Sequence, residues 1–332
     1  MKLNGVFGLF CLTLLFSCNS GKNRLDINTR DIQVPDIKIH RYDLDLFHVS
    51  GGNLKDGLEQ LKPAYRFFLD ADLNDTVKLM EMKAYLENPR NIDFYTAVQN
   101  KFKDLSKLEK DLTEAFRHYL YYYPNARIPR VYAYISGGDY DYPVQFADSV
   151  LLIGFDNYLG KDCKIYVSDG IPQYRLDKMT PDNMVPDGMM VLARISQSGH
   201  FPGNALLDHM VEEGKLLYFT EAMAPLTNPR FIIGYNAAQT DWIVKNEAHV
   251  WAAIIENRLL YSTDGQTIRT FMADGPFTAE FSKEAPGRLG AWIGWQIVKQ
   301  FMANQEDVSL QQLMLEHDAQ KILTASKYKP EK

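Results

Sequence analysis

The sequence predicts a mainly helical α+β domain with a small central β-sheet. Apolar residues recur at helical spacing before residue 124 and again after residue 182. Between these regions, residues 128–155 are rich in β-branched and aromatic side chains, and Gly137-Gly138-Asp139 marks a turn. The sequence contains no internal repeat and no long low-complexity segment. We therefore expect a single helical domain over residues 35–330.

The N-terminus has the features of a bacterial lipoprotein leader. Lys2 supplies a positive charge, and residues 6–16 form an apolar run of signal-peptide length, too short to span a bilayer comfortably. Ser17 then precedes Cys18, the arrangement at which such leaders are cleaved and the cysteine is acylated. The pattern predicts a signal peptide over residues 1–17 and a lipid anchor, such as palmitate, on Cys18. The alternative is an ordinary signal peptide followed by a chance cysteine.

The residues after Cys18 are polar and turn-prone, which predicts a flexible tether over residues 18–34. Several acyl chains on one cysteine hold a protein durably on a membrane. An acid-rich run, which would resemble a signal for surface export, does not follow the cysteine, and Lys22 and Arg24 stand there instead. We expect a lipoprotein of the cell membrane or the outer membrane that faces the periplasm.

Charge and cysteine content exclude several classes of protein. The chain carries 36 Lys and Arg against 42 Asp and Glu, a net charge of −6 without a basic stripe, so nucleic acid is not an expected partner. Of the three cysteines, Cys11 falls in the predicted leader and Cys18 in the predicted anchor. Only Cys163 remains, so neither an intramolecular disulfide nor a cysteine-based zinc site is expected. The sequence predicts no cofactor and no bound metal.

The N-terminal half is predicted to contain a strand, several helices and then the central sheet. Residues 37–42 alternate between apolar and polar side chains, which indicates a short strand. Pro89 stands where the first turn of a helix tolerates proline. The predicted helices cover residues 43–47, 53–69, 75–86 and 92–123. The predicted strands of the central sheet cover residues 128–136 and 146–155.

The C-terminal half is predicted to be helical. Its apolar residues keep helical spacing from residue 182 onward. Ser309, with Gln312 three residues later, forms a capping-box pattern that predicts a helix start. The predicted helices cover residues 182–200, 205–224, 240–256, 288–303 and 309–326.

No complete catalytic motif is present in the sequence. It has no HExxH pair, GxSxG elbow, P-loop or GxGxxG fingerprint. One segment, Ser196-Gln197-Ser198-Gly199-His200, has a histidine where the second histidine of HExxH would fall, with Ser196 at the first ligand position and Gln197 at the glutamate position. Serine is a poor zinc ligand and glutamine cannot accept a proton at neutral pH. An active zinc hydrolase is therefore not expected, and His200 is expected to hydrogen-bond a carboxylate.

The next predicted helix carries Glu212, Glu213 and Gly214. In zinc peptidases with a His-His-Glu ligand set, a later helix supplies the third ligand, often from a glutamate near a glycine, so Glu213-Gly214 is interpreted as a relic of such a site. Gly214 itself has two interpretations. It lets another backbone approach closely, or it is a tolerated helical glycine that costs about 1 kcal/mol relative to alanine; the second is the expected one.

Two residues farther along the chain also have open interpretations. His249 lies on the predicted helix 240–256, which is expected to be an amphipathic core helix with a few polar groups; the alternative is a polar pocket that faces Glu212 and Glu213. Arg288 is expected to start a helix and to pair with a carboxylate. The alternative for Arg288 is an anion site at that helix start.

Five segments, in order along most of the chain, carry a resemblance to a known family. They are residues 39–43 (IHRYD), 152–160 (LIGFDNYLG), 214–219 (GKLLYF), 284–298 (EAPGRLGAWIGWQIV) and 326–330 (SKYKP). Together with the Cys18 pattern, they resemble the gliding-motility lipoprotein GldB family of Bacteroidota. The resemblance implies a membrane lipoprotein associated with gliding and its supporting machinery, including the type IX secretion system. It also implies a peptidase-like, and hence zincin-like, helical domain, with no established catalytic residues.

Two functional hypotheses follow. The preferred one is a non-catalytic lipoprotein, descended from a peptidase-like fold, that acts through contacts with proteins of the cell envelope. The rival is an envelope hydrolase in which Glu212 or Glu213 forms a general acid–base pair with His200, His209 or His249. The hydrolase requires these side chains to converge in a solvent-open cleft.

Overall fold

The fold is seen in a computed structural model that describes residues 24–49, 53–197 and 203–330. Within these ranges helices surround a four-stranded sheet, which confirms the predicted mainly helical α+β class. The strands are β1 (Ile39–Arg41), β2 (Arg130–Tyr134), β3 (Val144–Ala147) and β4 (Val150–Gly154). The helices are α1 (Tyr42–His48), α2 (Leu54–Leu61), α3 (Thr76–Glu87), α4 (Pro89–Lys101), α5 (Ser106–Tyr122), α6 (Lys164–Ser168), α7 (Gln173–Leu176), α8 (Met184–Ser196), α9 (Leu206–Met223), α10 (Pro229–Ile233), α11 (Ala237–Glu256), α12 (Gly265–Met272), α13 (Leu289–Asn304), α14 (Leu310–Leu315) and α15 (Ala319–Ser326).

The sheet has the order β1-β2-β4-β3. Strands β1, β2 and β4 are parallel, and β3 is an antiparallel edge strand. Every residue of β4 is buried, as expected for a parallel strand whose two faces are both covered. The chain leaves β4 through a 3-10 turn, Phe155–Asn157, which ends beside Tyr158. This exit from the sheet brings Asn157 and Tyr158 to the candidate site.

The prediction of one strand over residues 146–155 is wrong, because the segment belongs to a hairpin. Strand β3 starts earlier, at Val144, and its residues pair with those of β4, from Val144 with Ile153 to Ala147 with Val150. The turn consists of Asp148 and Ser149, both at positive φ. Tight two-residue hairpin turns of type I′ require positive φ at both positions, and aspartate adopts this conformation more often than most residues other than glycine. Without a glycine, the segment resembles one continuous strand.

Two long predicted helices are also divided in the structure. The predicted helix 92–123 is two helices, α4 and α5, and the predicted helix 309–326 is α14 and α15. Side chains stabilise the new starts: Asp104 accepts from the backbone N–H of Ser106 at 2.8 Å, and Asp318 accepts from that of Lys321 at 2.8 Å. The capping box of Ser309 and Gln312 is confirmed. Aspartate near the start of a helix satisfies N–H groups that lack a partner within the helix.

The centre of the fold is the contact between α9 and α13. Gly290 and Gly294 of α13 lie against Met210 of α9, and farther along, Trp295 Nε1 and Lys299 Nζ donate to Glu221 at 3.0 and 2.8 Å. The two helices therefore run parallel. A methyl group on Gly294 would overlap the backbone carbonyl of Met210, and one on Gly214 would overlap the backbone of Gly294.

This contact decides between the two interpretations of Gly214. The expectation of a merely tolerated helical glycine is wrong, because the glycine lets the backbone of α13 approach α9.

The first described residues lie against the folded body. The guanidinium of Arg24 donates to the carbonyls of Met302, at 2.7 Å, of Gln305, at 2.8 Å, and of Val308. These carbonyls belong to the C-terminal end of α13 and the turn that follows, where a helix leaves its last acceptors without partners. Leu25 beside it is buried. Residues 1–23, with the predicted leader and Cys18, lie outside the described residues.

Candidate functional site

The candidate site is a cleft of about 850 Å³ between α8, α9 and the residues that follow β4. Four residues of α8 face it, Asp187, Met190, Arg194 and Gln197, the last being the residue that caps the helix. Their spacing of three, four and three residues places them on one side of a helix. The N-terminal half of α9 forms the opposite wall with His209, Glu212, Glu213 and Leu216. The size lies within the range of ligand-binding clefts.

Glu213 is bound by two arginines. Arg288 Nη2 donates to Glu213 Oε1 at 2.6 Å, and Arg194 Nη2 donates to the same oxygen at 3.1 Å and to Oε2 at 3.3 Å. Burial alone would raise the pKa of Glu213, but the two guanidinium groups outweigh it and hold that pKa below its usual range. The predicted pairing of Arg288 with a carboxylate is confirmed. Two cations and one anion leave this group with a net charge of +1.

Asp187 lies at the other end of the α8 face. Tyr158 OH donates to its Oδ2 at 2.7 Å, while desolvation raises the pKa of Asp187 to about 6. Lys178 lines the same end and forms an ion pair with Asp274 at 2.6 Å. Burial, together with the nearby charge of Arg288, lowers the pKa of Lys178. Charged groups in this cleft therefore occupy a less polar environment than bulk water.

Two amide side chains in the cleft have a buried atom without a hydrogen-bond partner among the described residues. They are Asn157, whose Oδ1 is an acceptor, and Gln197, whose Nε2 is a donor. Asn157 is 2% exposed, and its Nδ2 donates to Ser136 Oγ at 3.1 Å, which fixes the orientation of the amide. Buried polar atoms are normally paired, so such atoms in a cleft indicate places where a ligand or water binds.

The structure brings together only some of the predicted site residues. His209, Glu212 and Glu213 line the cleft, and Glu212 forms an ion pair with the buried Lys215 at 2.8 Å. His249 is exposed on α11, packs edge-on against Phe281 and does not line the cleft. His200 lies outside the described residues. The acid–base pair proposed for a hydrolase thus has one described histidine, His209, in the cleft.

The residues proposed as a relic of HExxH lie at the end of α8. Ser196 Oγ donates to the backbone carbonyl of Ala193 at 2.6 Å, and the helix ends at this residue. The residue of α8 that contacts Glu213 is Arg194, and Met190, four residues before it, lines the same cleft. Ser196 is therefore a helix-end residue, and Arg194 takes the position opposite Glu213 on α9.

The polar groups of α11 support packing. Glu247 accepts from Trp292 Nε1 and from Tyr328 OH, each at 2.8 Å, which ties α11 to α13 and to the C-terminal segment. This agrees with the expected core helix that carries a few polar groups. Within the described residues, no residue of α11 lines the cleft that contains Glu212 and Glu213.

Sequence reasoning missed most of the cleft. Asp187, Arg194, Tyr158, Asn157 and Lys178 were not singled out, although α8 carried a usable signal. In the apolar segment Met184–Ala193, an isolated aspartate and the arginine that follows it are seven residues apart, on one face of the helix. The residues after β4 and those of α7 and α10 reach the cleft through the tertiary fold, which no local pattern indicates.

Comparison with known protein families shows to which family the chain belongs. The family model described as gliding motility protein GldB matches residues 22–330. The chain belongs to the GldB family. As a GldB-family protein it is associated with gliding motility, and the lipoprotein label of the family points to a membrane-associated lipoprotein. No curated protein and no solved structure gives a significant match to this GldB-family chain.

Among the described residues of this GldB-family chain, no helix combines the length and the apolar character needed to cross a membrane. Within the same residues, no group of three or more His, Cys, Asp or Glu side chains is arranged to hold a metal ion.

Proposed function

We propose that this GldB-family chain is a non-catalytic, lipid-anchored envelope protein that binds a segment of a protein partner in the cleft between α8 and α9. One observation carries the proposal. Glu213, one of the two carboxylates that the hydrolase hypothesis uses, is held by Arg194 and Arg288 on the side that faces α8 and α13. Because the Glu213 carboxylate is already paired with two arginines, the cleft is suited to binding a protein segment rather than to catalysis.

The ion pairs of Glu213 remove the properties that a catalytic carboxylate needs. A general base or acid works best with a pKa near the operating pH, and the guanidinium groups move the pKa of Glu213 away from that range. Both of its oxygens already accept hydrogen bonds. Glu212 is likewise committed to Lys215, whose Nζ also donates to the carbonyl of Glu316 at 3.0 Å.

The peptidase-like ancestry also belongs to this proposal. The Glu-Gly pair on α9 supports this ancestry, because Glu213 faces α8. In a zinc peptidase, a helix in the place of α8 would supply two zinc ligands spaced by four residues. On the side that faces Glu213, α8 presents Met190 and Arg194, which are four residues apart. Neither side chain is a ligand for zinc, which binds Cys, His, Asp and Glu in proteins. In this proposal the arginine supplies a positive charge where a metal ion would have been.

The lipid anchor rests on the leader and its Ser17-Cys18 pattern. Arg24, six residues after Cys18, contacts the folded body by donating to the carbonyls of Met302 and Gln305, so an anchor at Cys18 would lie close to the body. We place the protein at the periplasmic face of the cell membrane or of the outer membrane, in contact with envelope proteins.

Purified mature protein tests the non-catalytic proposal. We expect it to bind less than one equivalent of zinc after dialysis against trace zinc, measured by plasma mass spectrometry, and to leave a mixed peptide library intact, measured by peptide mass spectrometry. His200→Ala should change neither result. One equivalent of tightly bound zinc that is lost in His200→Ala would overturn the proposal.

The hydrolase remains the second candidate, because His209, Glu212 and Glu213 line one cleft. It predicts peptide cleavage that His209→Ala abolishes. His249→Ala is the matched control, since His249 is an exposed histidine outside the cleft. Cleavage that is lost in the first variant and kept in the second would favour the hydrolase over the binding protein.

A further inference from the structure

The α8 face of the cleft has acceptors at one end and donors at the other. Asp187 and Arg194 are separated by seven residues, which corresponds to about 10.5 Å along the helix axis at 1.5 Å per residue. Met190 lies between them and lines the same cleft. The face therefore presents an anionic end, an apolar middle and a cationic end in line.

The acceptor end has two groups that can receive hydrogen bonds from a ligand. Asp187 uses Oδ2 for the Tyr158 hydroxyl. Asn157 is almost completely buried, and its Oδ1 has no partner among the described residues, while its Nδ2 is fixed on Ser136. A backbone N–H or an ammonium group placed here would complete the hydrogen bonds of Asn157 and find a counter-charge in Asp187.

The donor end has unused donors as well. Arg194 is 54% exposed and uses only Nη2 for Glu213, and within the described residues its Nε and Nη1 make no hydrogen bond. Gln197, one turn later on the same side of the helix, has the unpartnered Nε2. A planar carboxylate is the natural partner for such a guanidinium, because the two nitrogen donors match its two oxygens.

The net charge of the arginine–glutamate group at the donor end favours a carboxylate over a phosphate as the bound anion. Arg194 and Arg288 share one carboxylate, Glu213, so the group carries a net charge of +1. A carboxylate with a charge of −1 balances this group. A phosphate monoester, with a charge between −1.5 and −2 at neutral pH, would leave excess negative charge beside this group.

We propose that the cleft binds the carboxyl terminus of a short peptide segment. The terminal carboxylate contacts Arg194 and Gln197, an N–H or ammonium group contacts Asn157 and Asp187, and an apolar side chain lies over Met190. An extended chain advances about 3.3 Å per residue, so three residues cover the 10.5 Å between the two ends. This inference rests on the proposed function, in which the cleft binds a peptide without cleaving it.

The tripeptide Ala-Leu-Ala tests this assignment with the full mature chain. Isothermal titration calorimetry should show binding of the free tripeptide and at least tenfold weaker binding of its C-terminal amide. The N-acetyl form, which keeps the carboxylate, should lose less affinity than the C-terminal amide. In Arg194→Gln the difference between acid and amide should disappear. Arg269→Gln makes the same charge change at an exposed position on α12 and should keep the difference.

The outcomes separate this inference from the proposed function. Equal affinity for acid and amide, no binding of Ala-Leu-Ala at millimolar concentration, or inorganic phosphate competing better than acetate would overturn the peptide-terminus assignment. Cleavage of Ala-Leu-Ala, detected by mass spectrometry of the titration mixture, would instead overturn the non-catalytic function. Should Arg194→Gln fail to fold, as judged by circular dichroism, Asp187→Asn provides the second test. It should weaken binding of the free tripeptide more than binding of the N-acetyl form.

Discussion

Glu213 joins two separate parts of the cleft wall, because its carboxylate binds Arg194 of α8 and Arg288 at the start of α13. Arg288 in turn donates to the carbonyl of Ile233 at 2.8 Å, and it adopts a positive φ of 59°. Few residues other than glycine and asparagine adopt this conformation, and surrounding contacts must hold it in place. The carboxylate thus stabilises a local backbone conformation as well as a charge.

Removal of this carboxylate is expected to destabilise the protein. Glu213→Gln leaves two guanidinium groups without a counter-charge, and the free energy of unfolding should fall by about 3 kcal/mol, the lower part of the range for a broken buried ion pair. Urea unfolding at pH 7 measures the change. Glu81→Gln is the matched control, because its pair with Lys78 is exposed on α3, and it should have no measurable effect. Equal effects of the two substitutions would contradict the structural role of Glu213.

Asp187 should make the stability depend on pH. Its pKa is about 6 in the folded protein and 3.8 in the unfolded chain, so between these values the folded state binds more protons. The free energy of unfolding therefore falls as the pH rises from 4 to 6.5, on the order of 3 kcal/mol for a shift of about two units. Asp187→Asn removes this contribution.

Urea unfolding of the wild type and of Asp187→Asn between pH 4 and pH 7.5 measures this contribution. The stability of the variant relative to the wild type should increase over that range. Asp182→Asn, on the exposed turn before α8, controls for the charge change. A difference between wild type and Asp187→Asn that stays constant with pH would contradict the raised pKa.

At the scale of elements, the α9–α13 contact depends on glycine. Gly294→Ala should lower the free energy of unfolding by about 1–3 kcal/mol, because the new methyl group overlaps the Met210 carbonyl and the helices must separate. Gly188→Ala on α8 is the matched control. Its methyl group would meet only Leu151 Cδ2, at 3.5 Å, and alanine favours a helix by about 1 kcal/mol over glycine. In thermal or urea unfolding, the free energy of unfolding should decrease for Gly294→Ala and increase for Gly188→Ala. Stabilisation by Gly294→Ala would contradict the close approach of α9 and α13.

Local patterns predicted most elements, but they missed the turns that divide long segments and the cleft that distant residues line. Strand β1 and helices α9 and α11 lie within or close to their predicted bounds because their apolar residues keep a regular period. The break between α4 and α5 was missed although Asp104 caps the start of α5 locally; Arg41, from another part of the chain, also contacts it by donating to the carbonyl of Phe102 at 3.0 Å. The cleft was missed because residues from distant parts of the chain line it.

At the scale of the whole molecule, the proposed anchor gives a direct prediction. Cys18→Ala should move the protein from the membrane fraction to the soluble fraction without unfolding it, as measured by fractionation and circular dichroism. We expect the folded body to be independent of the lipid, because its described core begins at Leu25, after the proposed anchor. Cys163→Ala is the control, since Cys163 is the remaining cysteine of the mature chain, and it should stay in the membrane fraction. Membrane retention of Cys18→Ala would contradict the anchor.

The parallel arrangement of α9 and α13 puts Arg24 and the cleft at opposite ends of this helix pair. Arg24 binds one end of α13, whereas Arg288 and the cleft lie at the other end, about 24 Å away along a helix of 16 residues. With an anchor at Cys18, the six residues to Arg24 extend at most about 20 Å from the lipid. In this proposed arrangement the cleft lies at the end of α13 that is farther from Arg24, so a partner can bind there without lying on the membrane surface.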